Sequence, residues 1–92
     1  MTVLSENDVD TRLANSAWQR ESNAIAREWK LADFAAAIAF VNRVADLAEQ
    51  ANHHPDIDLH GWNKVSLRLS THSEGGITQA DLDMAGRIDA LA

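Results

Sequence analysis

Cysteine is absent from the 92 residues of the sequence. The chain therefore has no disulfide, no thiol nucleophile and no thiolate ligand for a metal ion. This absence is compatible with a reducing compartment such as the cytoplasm. A domain of this size buries only about 60–65% of the surface of its unfolded chain, and no disulfide compensates here. We therefore expect one domain over residues 1–92, stabilised further by self-association.

Basic residues and long apolar runs are also scarce. The 8 lysine and arginine residues are scattered and outnumbered by 14 aspartate and glutamate residues, which gives a net charge of −6. Because nucleic-acid backbones are bound by clusters of basic side chains, this composition argues against a nucleic-acid partner. No apolar run approaches the roughly 20 residues of a membrane span, and residues 1–10 are acidic, unlike a signal peptide. We predict a cytoplasmic protein without a membrane partner.

Apolar spacing and capping residues predict three helices. A short first helix is expected within residues 6–17, where Ser5 is a suitable N-cap. Asp33 can cap a long helix that runs to about residue 52, with apolar residues recurring at three and four positions. After Gly75-Gly76, Thr78 and Asp81 have the spacing of a capping box and begin a last helix. The apolar residues noted on the long helix are Phe34, Ile38, Val41, Ala45 and Ala48, and those on the last helix are Leu82, Ala85, Ile88 and Leu91.

Alternating residues predict four strands. Residues 18–31 are typical of a hairpin interrupted near Glu21-Ser22-Asn23, with Ile25, Arg27 and Trp29 on one face. Residues 57–62 and 64–70 are predicted as a second pair of strands. The order α-β-β-α-β-β-α indicates an α+β sandwich, in which a four-stranded antiparallel sheet carries three helices on one face. The other face, or an edge strand, is then available to a second subunit.

The four histidines lie within residues 53–72, and imidazole suits acid–base catalysis because it both donates and accepts protons near neutral pH. Any one of them taken alone is more often an ordinary surface residue, and we interpret His60 that way. A metal site built from three imidazoles and Asp56, Asp58 or Asp81 is an alternative, although no His-x-x-x-His pair is present. Adjacent residues of an extended segment point to opposite faces, which makes shared ligation by His53 and His54 difficult.

A third interpretation rests on a resemblance that covers nearly the whole chain. The segment Glu49-Gln50-Ala51-Asn52-His53-His54-Pro55 is followed by Trp62-Asn63-Lys64-Val65, Ser70-Thr71-His72 and Asp81. This pattern closely resembles the signature of the pterin-4a-carbinolamine dehydratases. Further landmarks of that family are matched upstream by Leu13, Trp18, Ile25, Trp29, Asp33-Phe34 and Phe40, with Arg43-Val44-Ala45 after them.

The resemblance implies the α+β fold predicted above and a hydro-lyase reaction. Water is removed from a 4a-hydroxytetrahydropterin to give a quinonoid dihydropterin, with histidines as acid and base and no cofactor or metal. The implied catalytic set is His53, His54 and His72, of which His53 and His72 match the acid–base pair and His54 a histidine that contacts the substrate. The implied substrate-binding set is Glu49, Pro55 and Asp81. Pro55 would fix the loop that carries the two histidines. Glu49 matches an acidic position of the family, the alternative being a solvated helix residue. Asp81 would orient His72, bind the pterin or only begin the last helix.

Some features of the chain depart from the family, and other functions stay open. Ile57-Asp58-Leu59-His60 replaces an aromatic-rich stretch, which concerns substrate range. Trp62 is expected in the core. Expected partners are a pterin substrate, further copies of the chain in a dimer or tetramer, and an aromatic amino acid hydroxylase coupled through the cofactor it recycles. Alternatives are a noncatalytic module for pterin binding or for protein dimerisation, since some animal members serve as dimerisation cofactors, and a metal-assisted hydrolase.

Overall fold

The computed structural model describes residues 2–92 and contains three α-helices and four strands. Their order is α-β-β-α-β-β-α, which confirms the predicted fold class. In chain order the elements are α1 (Glu6–Arg12), β1 (Gln19–Glu21), β2 (Ala24–Lys30), α2 (Phe34–Ala51), β3 (Asp56–His60), β4 (Lys64–Leu69), a short 3-10 helix (His72–Glu74) and α3 (Gln79–Asp89).

The four strands form one antiparallel sheet in the order β1-β2-β4-β3. Alternate residues of β4 are buried, as expected of a strand with one face on a core: Val65, Leu67 and Leu69 are inaccessible, and the residues between them are half-buried. Trp29 of β2 lies opposite Val65, so the inner face is continuous across the central pair. The helices cover this inner face, and the other face of the sheet carries polar side chains.

Arg27 lies on the inner face, as the alternation predicted, because its charged end reaches the edge of the core. Its guanidinium donates to Asp89 Oδ1 at 2.8 Å and lies 4.5 Å from the centre of the Trp29 ring. Trp18 Nε1 donates to the same oxygen at 2.9 Å. The end of α3 is therefore joined to the sheet and to the residue that precedes β1.

The long helix α2 has the predicted cap and end but buries a different set of residues. Asp33 accepts from the backbone N–H of Ala36 at 2.7 Å, and Asn52 ends the helix in the left-handed conformation with φ 50°. The predicted stripe was wrong at three positions, since Phe34, Ile38 and Ala45 are exposed. The buried stripe consists of Ala37, Phe40, Val44, Leu47 and Ala48. Apolar residues occupy two neighbouring stripes of this helix, so periodicity alone does not select between them.

Two other boundaries differ from the sequence analysis. The first helix ends at Arg12 rather than near residue 17, because a turn follows in which Ser16 Oγ accepts from the N–H of Trp18. Strand β3 ends at His60, since Gly61 and Trp62 take positive φ angles of 54° and 58° and turn the chain toward β4. Trp62 is 61% exposed, so its expected place in the core was wrong. No helix within residues 2–92 is both long enough and apolar enough to cross a membrane.

Candidate active site

His53 is placed by the end of α2. Asn52 is the left-handed cap, and the N–H of His53 donates to the carbonyl of Ala48 at 3.1 Å, which closes the last turn of the helix. The chain therefore changes direction at Asn52 and brings the His53 side chain inward. Its imidazole is 17% exposed, and Nε2 lies 2.6 Å from Oδ1 of Asp81.

Asp81 is a fully buried carboxylate in the first turn of α3. Its exposed fraction is 0%, and each of its two oxygens has a partner. Oδ2 accepts from the N–H of Thr78 at 2.9 Å, which completes the predicted capping box, and from the hydroxyl of Thr71 at 2.8 Å. Oδ1 is left to face His53. Thr71, Thr78 and His53 together satisfy this carboxylate, as a buried anion requires.

These contacts determine which nitrogen of His53 carries a proton. An ionised carboxylate only accepts hydrogen bonds, so Nε2 of His53 is the donor in the short contact with Asp81. In a neutral imidazole the other nitrogen is then an acceptor. None of the side-chain hydrogen bonds found in residues 2–92 involves Nδ1 of His53. This nitrogen is therefore suited to take a proton from a bound molecule, after which the ring would be a cation beside Asp81.

His72 begins the 3-10 helix that follows β4 and is exposed. Its position is determined by Thr71, whose carbonyl accepts from the N–H groups of Glu74 and Gly75, each at 3.0 Å. The N–H of Thr71 also donates to the carbonyl of Gly76 at 2.9 Å. Because the Thr71 hydroxyl binds Asp81, the backbone that carries His72 lies beside the carboxylate that contacts His53. The structure thus brings the segments of His53, His72 and Asp81 together.

His54 and Glu49 form a separate exposed pair. Nε2 of His54 contacts Oε2 of Glu49 on the last turns of α2, and both side chains are more than half exposed. The two adjacent histidines therefore contact two different carboxylates, as expected for neighbours with opposed side chains. Pro55 lies between His54 and β3, where it is partly buried.

His60 lies outside this group of residues. It is at the end of β3, with Nε2 3.2 Å from Glu28 and Nδ1 3.4 Å from Asp58, both exposed on the outer face of the sheet. A cavity of about 510 Å³ on that face is lined by side chains such as Glu28, Asp58 and Arg68 and includes no histidine. In the part of the chain that the structure describes, no three His, Asp or Glu side chains are grouped closely enough to hold a metal ion.

The hydroxyl of Thr71 is the contact that the sequence analysis missed. Thr71 appeared only as part of the Ser70-Thr71-His72 segment, and no role was assigned to it. The available signal was indirect: a capping aspartate at residue 81 has one oxygen free, and a buried carboxylate needs a further donor. Nothing in the local sequence indicates that the end of β4 supplies this donor.

Comparisons with known proteins agree on one family. The model of the family described as pterin 4 alpha carbinolamine dehydratase matches residues 2–91. A protein of Roseiflexus sp. (strain RS-1), provisionally named a pterin-4-alpha-carbinolamine dehydratase, is 48% identical over 91 residues, which are 98% of this chain and 97% of that protein. A protein of Chloroflexus aurantiacus with the same provisional name is 49% identical over 92 residues, 99% of this chain and 98% of its own.

Solved structures show the same similarity. A crystal structure of a transcriptional coactivator/pterin dehydratase from Brucella melitensis superposes with a TM-score of 0.90 at 35% identity, covering 99% of each chain. A pterin dehydratase-like protein, described as a RuBisCO assembly factor in the alpha-carboxysome, superposes with a TM-score of 0.66 at 28% identity, covering 82% of this chain and 86% of its own.

Proposed function

The chain belongs to the pterin 4 alpha carbinolamine dehydratase family, and on this basis we propose that it removes water from a 4a-hydroxytetrahydropterin to give a quinonoid dihydropterin. The reaction breaks the bond between carbon 4a and its hydroxyl oxygen and removes one proton from the ring nitrogen system. An acid must protonate the hydroxyl as it leaves, because hydroxide is a poor leaving group. One proton is given to the leaving hydroxyl and one is taken from the ring, so the reaction has no net change in protons or electrons and requires no cofactor.

The contact between His53 and Asp81 is the observation that carries this proposal. With Nε2 donating to a buried carboxylate, His53 has a lone pair on Nδ1, and the carboxylate stabilises the imidazolium formed when a proton arrives. We assign His53 as the base. His72 is exposed and can exchange protons with solvent, so we assign it as the acid that protonates the leaving hydroxyl.

His54 and Glu49 have a different proposed role. As an exposed pair beside the acid–base residues, they can bind polar groups of the pterin without taking part in proton transfer. Pro55 fixes the φ angle of the loop between this pair and β3.

A set of histidine variants tests these assignments. His53→Ala and His72→Ala should each lower kcat by about 100- to 10,000-fold, because a positioned acid or base contributes that much. His54→Ala should raise KM more than it lowers kcat, since it removes a contact made equally in the ground and transition states. His60→Ala is the matched control and should leave both constants near those of the wild type. An equal loss of kcat in folded His60→Ala and His72→Ala proteins would contradict the residue assignment.

Treatment with a chelator distinguishes the metal-assisted alternative from catalysis by histidines alone. We propose catalysis by positioned imidazoles alone, so treatment with a chelator should leave the dehydration rate unchanged. Loss of activity that returns on adding zinc would favour the metal site instead.

A noncatalytic protein-binding role is the second candidate. It is supported by the two structural neighbours, one described as a transcriptional coactivator as well as a pterin dehydratase, and the other as an assembly factor. A direct dehydration assay on the purified chain distinguishes the two functions, because a module that only binds protein gives no rate above the uncatalysed reaction.

We also propose a setting for this reaction. A single domain over residues 1–92 acts in the cytoplasm as a dimer or tetramer, and it recycles the pterin product of an aromatic amino acid hydroxylase. A gene for such a hydroxylase beside the gene for this chain would support the coupling.

A further inference from the structure

We propose that Thr71 is a positioning residue of the active site: its hydroxyl holds the Asp81 carboxylate so that the proton of His53 stays on Nε2 and Nδ1 faces the substrate. The role in turnover rests on the proposed dehydratase function. The orientation of the histidine does not, because it depends only on contacts within the protein.

The hydrogen bonds around Thr71 have one consistent direction. Its hydroxyl oxygen lies 2.8 Å from Asp81 Oδ2 and 2.8 Å from the hydroxyl oxygen of Thr78. A carboxylate only accepts, and each hydroxyl has a single proton to donate. Thr71 therefore donates to Asp81, and Thr78 donates to Thr71 while accepting from the N–H of Ala80 at 3.3 Å. The hydroxyl of Thr78 therefore donates to that of Thr71, which in turn donates to the carboxylate of Asp81.

Burial makes the Thr71 hydroxyl difficult to replace. Asp81 and Thr78 are both 0% exposed, so water has no access to take the place of a missing donor at Oδ2. With Thr71 present, two donors from different elements hold Oδ2, and the plane of the carboxylate is fixed with Oδ1 toward His53. Without it, the N–H of Thr78 alone remains at Oδ2, and the carboxylate can turn away from the His53 ring.

The backbone of Thr71 is held independently of its hydroxyl. Its N–H and carbonyl both bond within residues 71–76, as described for the turn that carries His72. A substitution that removes only the hydroxyl therefore leaves these backbone bonds and the turn in place. This separation allows the positioning role to be tested apart from the fold.

The test compares Thr71→Val, which removes the hydroxyl at nearly constant shape, with Thr71→Ser, which keeps it. Ser70→Ala is the matched control, because the adjacent Ser70 hydroxyl makes one bond of similar length, 2.9 Å to the carbonyl of Asn23, away from Asp81. Two readouts are measured on each folded protein: kcat and KM for dehydration of 4a-hydroxytetrahydropterin, and the ¹⁵N shifts of the His53 ring, which report the nitrogen that carries the proton.

We expect Thr71→Val to lower kcat by about 10- to 100-fold with KM nearly unchanged, by analogy with the loss on removing hydrogen bonds that orient metal-bound histidines. Its His53 ring should lose the pure Nε2–H form and show a mixture of tautomers. Thr71→Ser and Ser70→Ala should both match the wild type. If Thr71→Val does not fold, Thr71→Ala is compared with Thr71→Ser, because these two variants both lack the methyl group and differ only in the hydroxyl.

A folded Thr71→Val protein with the kcat and the His53 tautomer of the wild type would overturn the proposal. So would a loss that Thr71→Ser shares, because the methyl group and not the hydroxyl would then be responsible. If the wild type itself fails to dehydrate the pterin, the proposed function fails, whereas the ¹⁵N comparison still decides the role of Thr71.

Discussion

Replacing Asp81 with asparagine keeps the shape of the side chain and changes one oxygen into an NH₂ group. The asparagine can keep its oxygen at the Thr78 N–H and the Thr71 hydroxyl, but its NH₂ group then faces Nε2 of His53. Two donors would meet there, so the proton of His53 must move to Nδ1, the nitrogen assigned to the substrate. In the opposite orientation the buried N–H of Thr78 faces an NH₂ group and loses its acceptor.

The costs of the two orientations set the expected size of the effect. An unpaired buried N–H costs about 1–3 kcal/mol, so the orientation that reverses the His53 tautomer should dominate. A reversed tautomer in the Asp-His pair of a serine protease lowers kcat by about 10⁴-fold. We expect a loss of kcat of about 10²- to 10⁴-fold here, because His72 remains. The free energy of unfolding should fall by about 1–3 kcal/mol, since bonds to a charged acceptor become neutral ones.

The measurements are steady-state dehydration kinetics and urea unfolding of the Asp81→Asn protein. Asp33→Ala is the matched control, because Asp33 also caps a helix but lies on the surface away from the histidines. Loss of that cap should cost about 0.5–2 kcal/mol and leave kcat unchanged. An Asp81→Asn protein that is destabilised but keeps kcat within about threefold of the wild type would refute this reasoning. Asp81 would then serve only to begin α3.

Three further outcomes are expected. A Cβ atom at Gly76 would lie 2.8 Å from Cγ1 of the exposed Val3, so Gly76→Ala should lower the free energy of unfolding by about 0.5–1.5 kcal/mol, the cost of turning Val3 off its rotamer, and adding Val3→Ala should restore it in urea titrations. The hydrogen bond from Arg20 holds the pKa of Asp10 below its ordinary value of 3.8, so this pair stabilises the fold above that pH and loses its effect as the pH falls. The difference in Tm between the wild type and Asp10→Asn should therefore be present at pH 7 and shrink below about pH 4, and an unchanged difference in acid would contradict it. Sedimentation at micromolar concentration should show a dimer or tetramer, and a stable monomer would remove the oligomer from the proposal without affecting the enzyme.

The features that the sequence predicted well are those that depend on a few neighbouring residues. Asp33 and Thr78 were identified as caps because the bond of a cap spans only two or three residues. The element order followed from alternation and helical spacing in the same way. The end of α1 and the exposure of Trp62 were missed because each depends on a turn. The turn after α1 includes a hydrogen bond to the Ser16 hydroxyl, and the turn after β3 is formed by two residues in the left-handed conformation.

The sequence named the residues of the candidate site but did not indicate the hydrogen bonds between them. His53, His72 and Asp81 were identified through their match to a family pattern, which contains no distances. Asp81 contacts His53 rather than His72, and its second oxygen accepts a hydrogen bond from Thr71. Both contacts depend on how the end of α2 and the segment after β4 approach α3 in the folded chain. Residues 28 and 10 positions apart along the chain meet there, and no local pattern contains that information.

Helix α3 is attached to the rest of the molecule by a carboxylate near each end. Asp81 is bonded in its first turn, and Asp89 in its last turn accepts from Trp18, 71 residues away. A shift of α3 by one turn, about 5.4 Å, would break both attachments at once. Sliding of α3 along its axis is therefore opposed at both ends, and the amides in the middle of α3 should be well protected from exchange with solvent. Because the indole N–H of Trp18 donates to Asp89, the environment of this buried tryptophan should change when the last turn of α3 leaves the sheet.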